Sequence, residues 1–123
     1  MMDRKAAAKR HALLVEDDDG LRRALQLFLH WRGFDVRSYA TLAPALDGCL
    51  SNPIDVLVAD YRLPDGKGVD VLRRLRAHGW RGRSVLITGA SIAELRRDAA
   101  TTGFDTILEK PLYQLALLAA IGS

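Results

Sequence analysis

The 123-residue chain has 49% hydrophobic and 27% charged residues, a composition for one folded domain and too little length for a receptor domain with a separate effector. Arg4, Lys5, Lys9 and Arg10 against Asp3 account for the whole net charge of +3, so the remaining chain is balanced and gives no case for a nucleic-acid-binding body. No apolar stretch approaches the roughly 20 residues of a membrane helix, and the opening MMDRKAAAKR leads into no cleavable apolar segment, so a basic tail over 1–10, one domain over 11–123 and a cytoplasmic location are expected.

The first apolar run, 12–16, reads as a strand that breaks into four adjacent acids, Glu16, Asp17, Asp18 and Asp19. Leu21, Ala24, Leu25 and Phe28 follow at helical spacing. A second strand is expected over 35–39 and a helix over 43–50, with Pro44 in its first turn. The third strand, 54–60, ends in Asp60 before RLPDG, and Val69, Leu72 and Leu75 mark a third helix. A fourth strand over 84–88 ends in Thr88, and SIAE, 91–94, has the form of a capping box that starts a fourth helix. A fifth strand over 106–109 precedes Lys110 and Pro111, where a fifth helix can begin. The alternation is (βα)5, a parallel sheet covered by helices on both faces.

Several residues carry no chemistry in this reading. Cys49, the only cysteine, excludes an internal disulfide and is expected as a buried thiol. Arg73, Arg74, Arg76, Arg81 and Arg83 form a second basic cluster, read as a solvated face because no docking motif accompanies them. His11, His30 and His78 lie away from the strand ends, while Trp31 and Trp80 follow helices and are expected to pack over their ends.

Open α/β sheets bind ligands beyond the carboxyl ends of their strands, where the strand order reverses. The residues at those ends are Glu16, Asp17, Asp60, Thr88 and Lys110. Three converging carboxylates require a cation, and oxygen ligands alone favour a hard one, magnesium before calcium or zinc. An EF-hand reading of EDDDG fails on register, because Gly20 at the sixth loop position puts Val15 at the first, where an acid is required. Asp18 and Asp19 fall at a helix start and are assigned to capping.

The stretches LLVEDDDGLRRAL, VLVADYRLPDGKGVDVL, SVLITGAS and ILEKPL, in this order, resemble the receiver domain of two-component response regulators, the CheY-like superfamily, over roughly residues 11–121. The resemblance implies a doubly wound five-stranded parallel sheet of flavodoxin/CheY-like fold, strand order 2-1-3-4-5. It implies that Asp60 accepts a phosphoryl group from the phosphohistidine of a sensor histidine kinase or phosphotransfer protein. Glu16, Asp17, Asp60 and the backbone carbonyl of Arg62 match the family's magnesium ligands, and Thr88 and Lys110 its phosphoryl-binding hydroxyl and amine. Pro111 matches a proline often in cis linkage, and Gly89 leaves room for the phosphate. Such a domain catalyses only its own phosphorylation and dephosphorylation and is not an enzyme toward an external metabolite.

This chain departs from the family pattern in places. Ile107 stands where family members usually carry Tyr or Phe, with Tyr113 as a substitute or, more simply, a residue packed at a helix start. Arg62 and Ala90 hold two positions that flank the path of the hydrolytic water in the family. LYQLALLAAIG is apolar around most of its circumference, so a homodimer or an effector is expected to dock through helix 4, strand 5 and helix 5, with no nucleic acid bound directly and no membrane. The chain is expected to be a stand-alone regulator or shuttle, or a piece of a larger response regulator or hybrid kinase. A phosphorylation-independent interaction module is the alternative, motivated by Ile107. A flavodoxin-like flavin binder would need a glycine-rich loop where the acids stand.

Overall fold

The computed structural model describes residues 9–122, and the expected basic tail lies outside the described residues over 1–8. The chain runs β1 (Arg10–Val15), α1 (Asp19–Trp31), β2 (Phe34–Tyr39), α2 (Leu42–Gly48), β3 (Val56–Asp60), a small hairpin of β4 (Arg62–Leu63) and β5 (Gly66–Lys67), α3 (Val69–Ala77), β6 (Arg83–Thr88), α4 (Ile92–Leu95), a 3-10 turn (Ala99–Gly103), β7 (Thr106–Glu109) and α5 (Gln114–Ile121). The main sheet has the order β2-β1-β3-β6-β7 with every pairing parallel, which is 2-1-3-4-5 once the hairpin strands are set aside.

Alternation along the central strands divides the core in two. Leu13, Val15, Leu57, Ala59 and Leu86 point to the face covered by α2, α3 and α4, with Leu42, Leu72, Leu75 and Leu95 upon them. Ala12, Leu14, Val56, Val58, Val85 and Ile87 point to the opposite face, against Leu25 and Leu29 of α1 and Leu117, Ala120 and Ile121 of α5. Strands buried on both faces must read as continuous apolar runs, and these do.

Helix ends follow from local polar chemistry. Asp18 is the N-cap of α1, its carboxylate accepting from the Leu21 amide at 2.8 Å, and Asp19 pairs with Arg22 in the first turn. Thr41 at the N-cap of α2 makes no side-chain cap; Asp65, from the hairpin turn, accepts from the amides of Leu42 and Ala43 at 2.7 and 2.9 Å. Gly68 is needed for packing: a Cβ there would run into the Asp60 carbonyl oxygen, a backbone atom that cannot turn aside. Gly68→Ala is therefore expected to cost about 1–3 kcal/mol, measured by urea denaturation.

Two expectations are corrected, for Arg10 and for Trp31. Arg10, assigned to the tail, pairs with Phe34 as the first residue of β1. The fourth helix starts at SIAE as expected and spans Ile92–Leu95; beyond it Asp98 leaves helical backbone and caps the 3-10 turn through its bond to the Ala100 amide. Trp31 does not pack over the end of α1; it is 80% exposed, more than half a turn round the helix from the buried Leu29. Trp80 does pack, donating from Nε1 to the Ile54 carbonyl at 2.6 Å with the Arg76 guanidinium over its ring. Cys49 is buried, as expected.

Candidate functional site

From β1 the chain crosses to β2 on one side, and from β3 it leads to β6 on the other, so the loops after β1 and β3 diverge and open a crevice. The register Val15↔Ala59 sets Glu16 beside Asp60 at its floor. The register Thr88↔Glu109 and the 2.7 Å bond from the Lys110 amide to the Thr88 carbonyl bring the other two residues alongside. The Lys110–Pro111 bond is cis. All five strand-end residues thus meet in one place, and none of the three histidines lies among those lining the cavity there, about 340 Å³ and bounded by Asp60, Thr88 and Lys110 with Arg62 and Glu94.

Glu16 is fully buried and Asp60 nearly so, while Asp17 is exposed. Lys110 Nζ donates to Asp60 Oδ2 at 2.8 Å and lies 2.9 Å from Glu16 Oε1. The ammonium is thus shared between the two buried carboxylates. The other Glu16 oxygen, Oε2, accepts from the Asp18 amide at 2.9 Å. Burial pushes the Glu16 carboxyl up to about 7, reinforced by the charge of Asp60 and opposed by Asp18 and Lys110. Burial also pulls the Lys110 ammonium down, but Asp60 and Glu16 outweigh it and hold the amine above its ordinary range.

Carboxylate oxygens of Glu16, Asp17 and Asp60 lie within 4.8 Å of one another. Two buried acids and an exposed one, with a single ammonium between them, leave excess negative charge that suits a hard cation; an oxygen-only donor set is the kind magnesium and calcium take. The Arg62 amide faces Asp60 Oδ1 at 3.3 Å, and its side chain stands at the cavity rim. Thr88 is buried, with its hydroxyl oxygen accepting from the Ala90 amide at 2.8 Å. A Cβ at Gly89 would meet nothing within 4 Å, so the cavity is open above it.

Ile107 is partly buried and packs against the core under α4. Tyr113 stands at the start of α5 and is 70% exposed, so it neither packs there nor reaches the site. Two polar links were not foreseen. Arg62 is ion-paired with Glu94, whose residue had been assigned to a capping box. Tyr61 donates to Asp98 at 2.8 Å, with Lys67 Nζ 3.5 Å from the same carboxylate, which lies below its usual range chiefly because of the tyrosine bond.

An open parallel sheet with three acids and a lysine gathered at its topological switch point defines a doubly wound α/β domain of flavodoxin-like class. A family model described as "Response regulator receiver domain" matches residues 12–122, and the chain belongs to that family. It is 30% identical to the transcriptional regulatory protein FixJ of Azorhizobium caulinodans, over 88% of this chain and 51% of that protein. It is 34% identical to the transcriptional regulatory protein KdpE of Mycobacterium tuberculosis, over 89% of this chain and 48% of that one. The chain therefore spans about half the length of these curated relatives. A response regulator of Burkholderia pseudomallei, solved with a phosphorylated aspartic acid, calcium ion and citrate, superposes with a TM-score of 0.79 at 26% identity, covering 91% of this chain and 66% of that one. The chain is a receiver domain of the two-component response regulators, a signalling domain. Among the described residues, no helix is long and apolar enough to cross a membrane.

Proposed function

We propose that Asp60 is the phosphoacceptor, that magnesium is the resident ion, and that the donor is the phosphohistidine of a sensor histidine kinase or phosphotransfer protein. The observation that carries this reading is the placement of Lys110 between the buried carboxylates of Glu16 and Asp60, with a carboxylate oxygen of Asp17 close to both. An Asp60 oxygen attacks phosphorus as the P–N bond to the donor imidazole breaks, so the carboxylate becomes an acyl phosphate and the imidazole regains a proton from solvent. Lys110, already hydrogen-bonded to Asp60, offers its ammonium to the phosphoryl oxygens, and the Thr88 hydroxyl turns from the Ala90 amide to donate to them. Glu16, Asp17, Asp60 and the Arg62 carbonyl would hold magnesium, which when bound supplies positive charge against the repulsion between carboxylates and phosphoryl group.

Under this reading the domain acts only on its own phosphorylation and dephosphorylation, in the cytoplasm. The receiver body, which takes in Arg10 as the first residue of β1, follows a basic tail, and a homodimer or effector engages α4, β7 and α5.

The test is intact-mass measurement with acetyl phosphate. The wild type should gain one phosphoryl group in magnesium and none in EDTA; no gain in magnesium would leave the phosphorylation-independent interaction module, the reading that Ile107 favours. Magnesium at about a hundredfold its Kd should also raise the unfolding free energy by about 2.7 kcal/mol. Thermal denaturation would register this as a higher midpoint, reversed by EDTA and diminished in Asp17→Asn.

A further inference from the structure

Two opposite charges stand across the mouth of the cavity that holds Asp60. Arg62 comes from the hairpin, two residues past Asp60 and in register with Lys67; Glu94 comes from the first turn of α4. Their side chains are ion-paired, 67% and 45% exposed, and both line the same cavity as Asp60, Thr88 and Lys110. Neither charge has another polar partner among the described residues: the Glu94 amide bonds to Ser91 Oγ, but its carboxylate does not return to cap Ser91. An exposed pair of this kind is weak and readily exchanged.

A phosphoryl group on Asp60 would bring nearly two negative charges and three acceptor oxygens into this cavity. A guanidinium fork matches such a group bidentately, whereas a carboxylate at the same rim is repelled by it. We propose that the Arg62 side chain exchanges partners, pairing with Glu94 while Asp60 is unmodified and with the phosphoryl oxygens once Asp60 is loaded, and that this exchange frees the start of α4. The proposal rests on the reading of Asp60 as acceptor. It makes Arg62 a phosphoryl-binding side chain, distinct from any role of its backbone carbonyl, and Glu94 its competitor. The receiving element is suited to respond, because α4 is a single turn whose first residues are mostly exposed.

The test is a double-mutant cycle read by beryllofluoride titration in magnesium, followed through amide chemical shifts, together with the decay rate of the acyl phosphate. Arg62→Ala should weaken beryllofluoride binding about fivefold and shorten the phosphoryl lifetime, while Glu94→Gln should tighten binding about threefold. In the Arg62→Ala background the effect of Glu94→Gln should shrink to the direct repulsion between the carboxylate and the bound anion, since competition for the arginine is gone. Amide exchange at Glu94 and Leu95 should quicken when wild type is loaded and be fast already in unloaded Glu94→Gln. An undiminished Glu94→Gln effect in the Arg62→Ala background, or wild-type binding by Arg62→Ala, would overturn the exchange alone. Wild type that takes neither beryllofluoride nor a phosphoryl group would overturn the acceptor reading and the exchange with it.

Discussion

Asp60→Asn should abolish phosphoryl uptake from acetyl phosphate and leave the protein folded. The amide has nearly the same shape as the carboxylate, so β3 and the packing beneath it are undisturbed, and its carbonyl oxygen can still accept the Lys110 bond now made at 2.8 Å. Its nitrogen lone pair is delocalised into the carbonyl and does not attack phosphorus. Electrostatics change in the opposite sense from activity. The crevice now holds three carboxylates against one ammonium, and the charge of Asp60 is one cause of the raised pKa of Glu16. Removing that charge eases the crowding, so metal-free Asp60→Asn should be at least as stable as wild type while its gain in stability from magnesium shrinks. Intact mass and urea denaturation with and without magnesium check both halves. Persistent uptake in Asp60→Asn would place the acceptor elsewhere.

Lys110→Met should weaken fold and chemistry together. The substitution keeps the length of the side chain and removes its charge, leaving Glu16 fully buried and Asp60 nearly so with no cation between them. Removing one partner of a buried ion pair costs about 3–5 kcal/mol. The lower end applies here, because Glu16, already pushed up to about 7, can take a proton instead. The loss in metal-free buffer should therefore be largest well above pH 7 and smaller below it, and Glu16→Gln in the same background should recover part of it. Magnesium should restore more stability to Lys110→Met than it adds to wild type, since the ion replaces the missing charge. Phosphoryl uptake should nevertheless fall by about a hundredfold, the usual effect of losing one donor to developing negative charge. Denaturation at several pH values and the rate of mass gain measure the two effects separately.

Much of this was legible in the sequence, because strands buried on both faces leave little freedom in their residues. Val56 to Ala59 and Val85 to Ile87 have no solvent-facing side, so their apolar runs announced themselves, and the polar residue that ends each run was bound to stand at the sheet's edge. Glu16, Asp60, Thr88 and Lys110 could thus be brought together before any distance was known. What escaped depends on partners distant in the chain. Asp65 drew no assignment within RLPDG, yet it caps a helix that begins 23 residues earlier. Glu94 fitted a local capping box, but Arg62 takes its carboxylate. SIAE marked where the fourth helix starts but not where it ends; the hydroxyl of Tyr61 and the Ala100 amide both bind Asp98, three residues past its last turn. Trp31 misled for the opposite reason, since a large ring after a helix suggests a lid when the helical phase already points it into water.

The neighbours of Asp60 along the chain divide their attention. Tyr61 turns inward and grips Asp98, while Arg62 turns outward and holds Glu94, so consecutive residues tether the two ends of one short segment from opposite sides. Release of the outer tether alone would leave Asp98 as a fulcrum, also braced by Lys67. Under the proposed exchange the segment would swing about that point, turning a chemical event at a single carboxylate into a tilt.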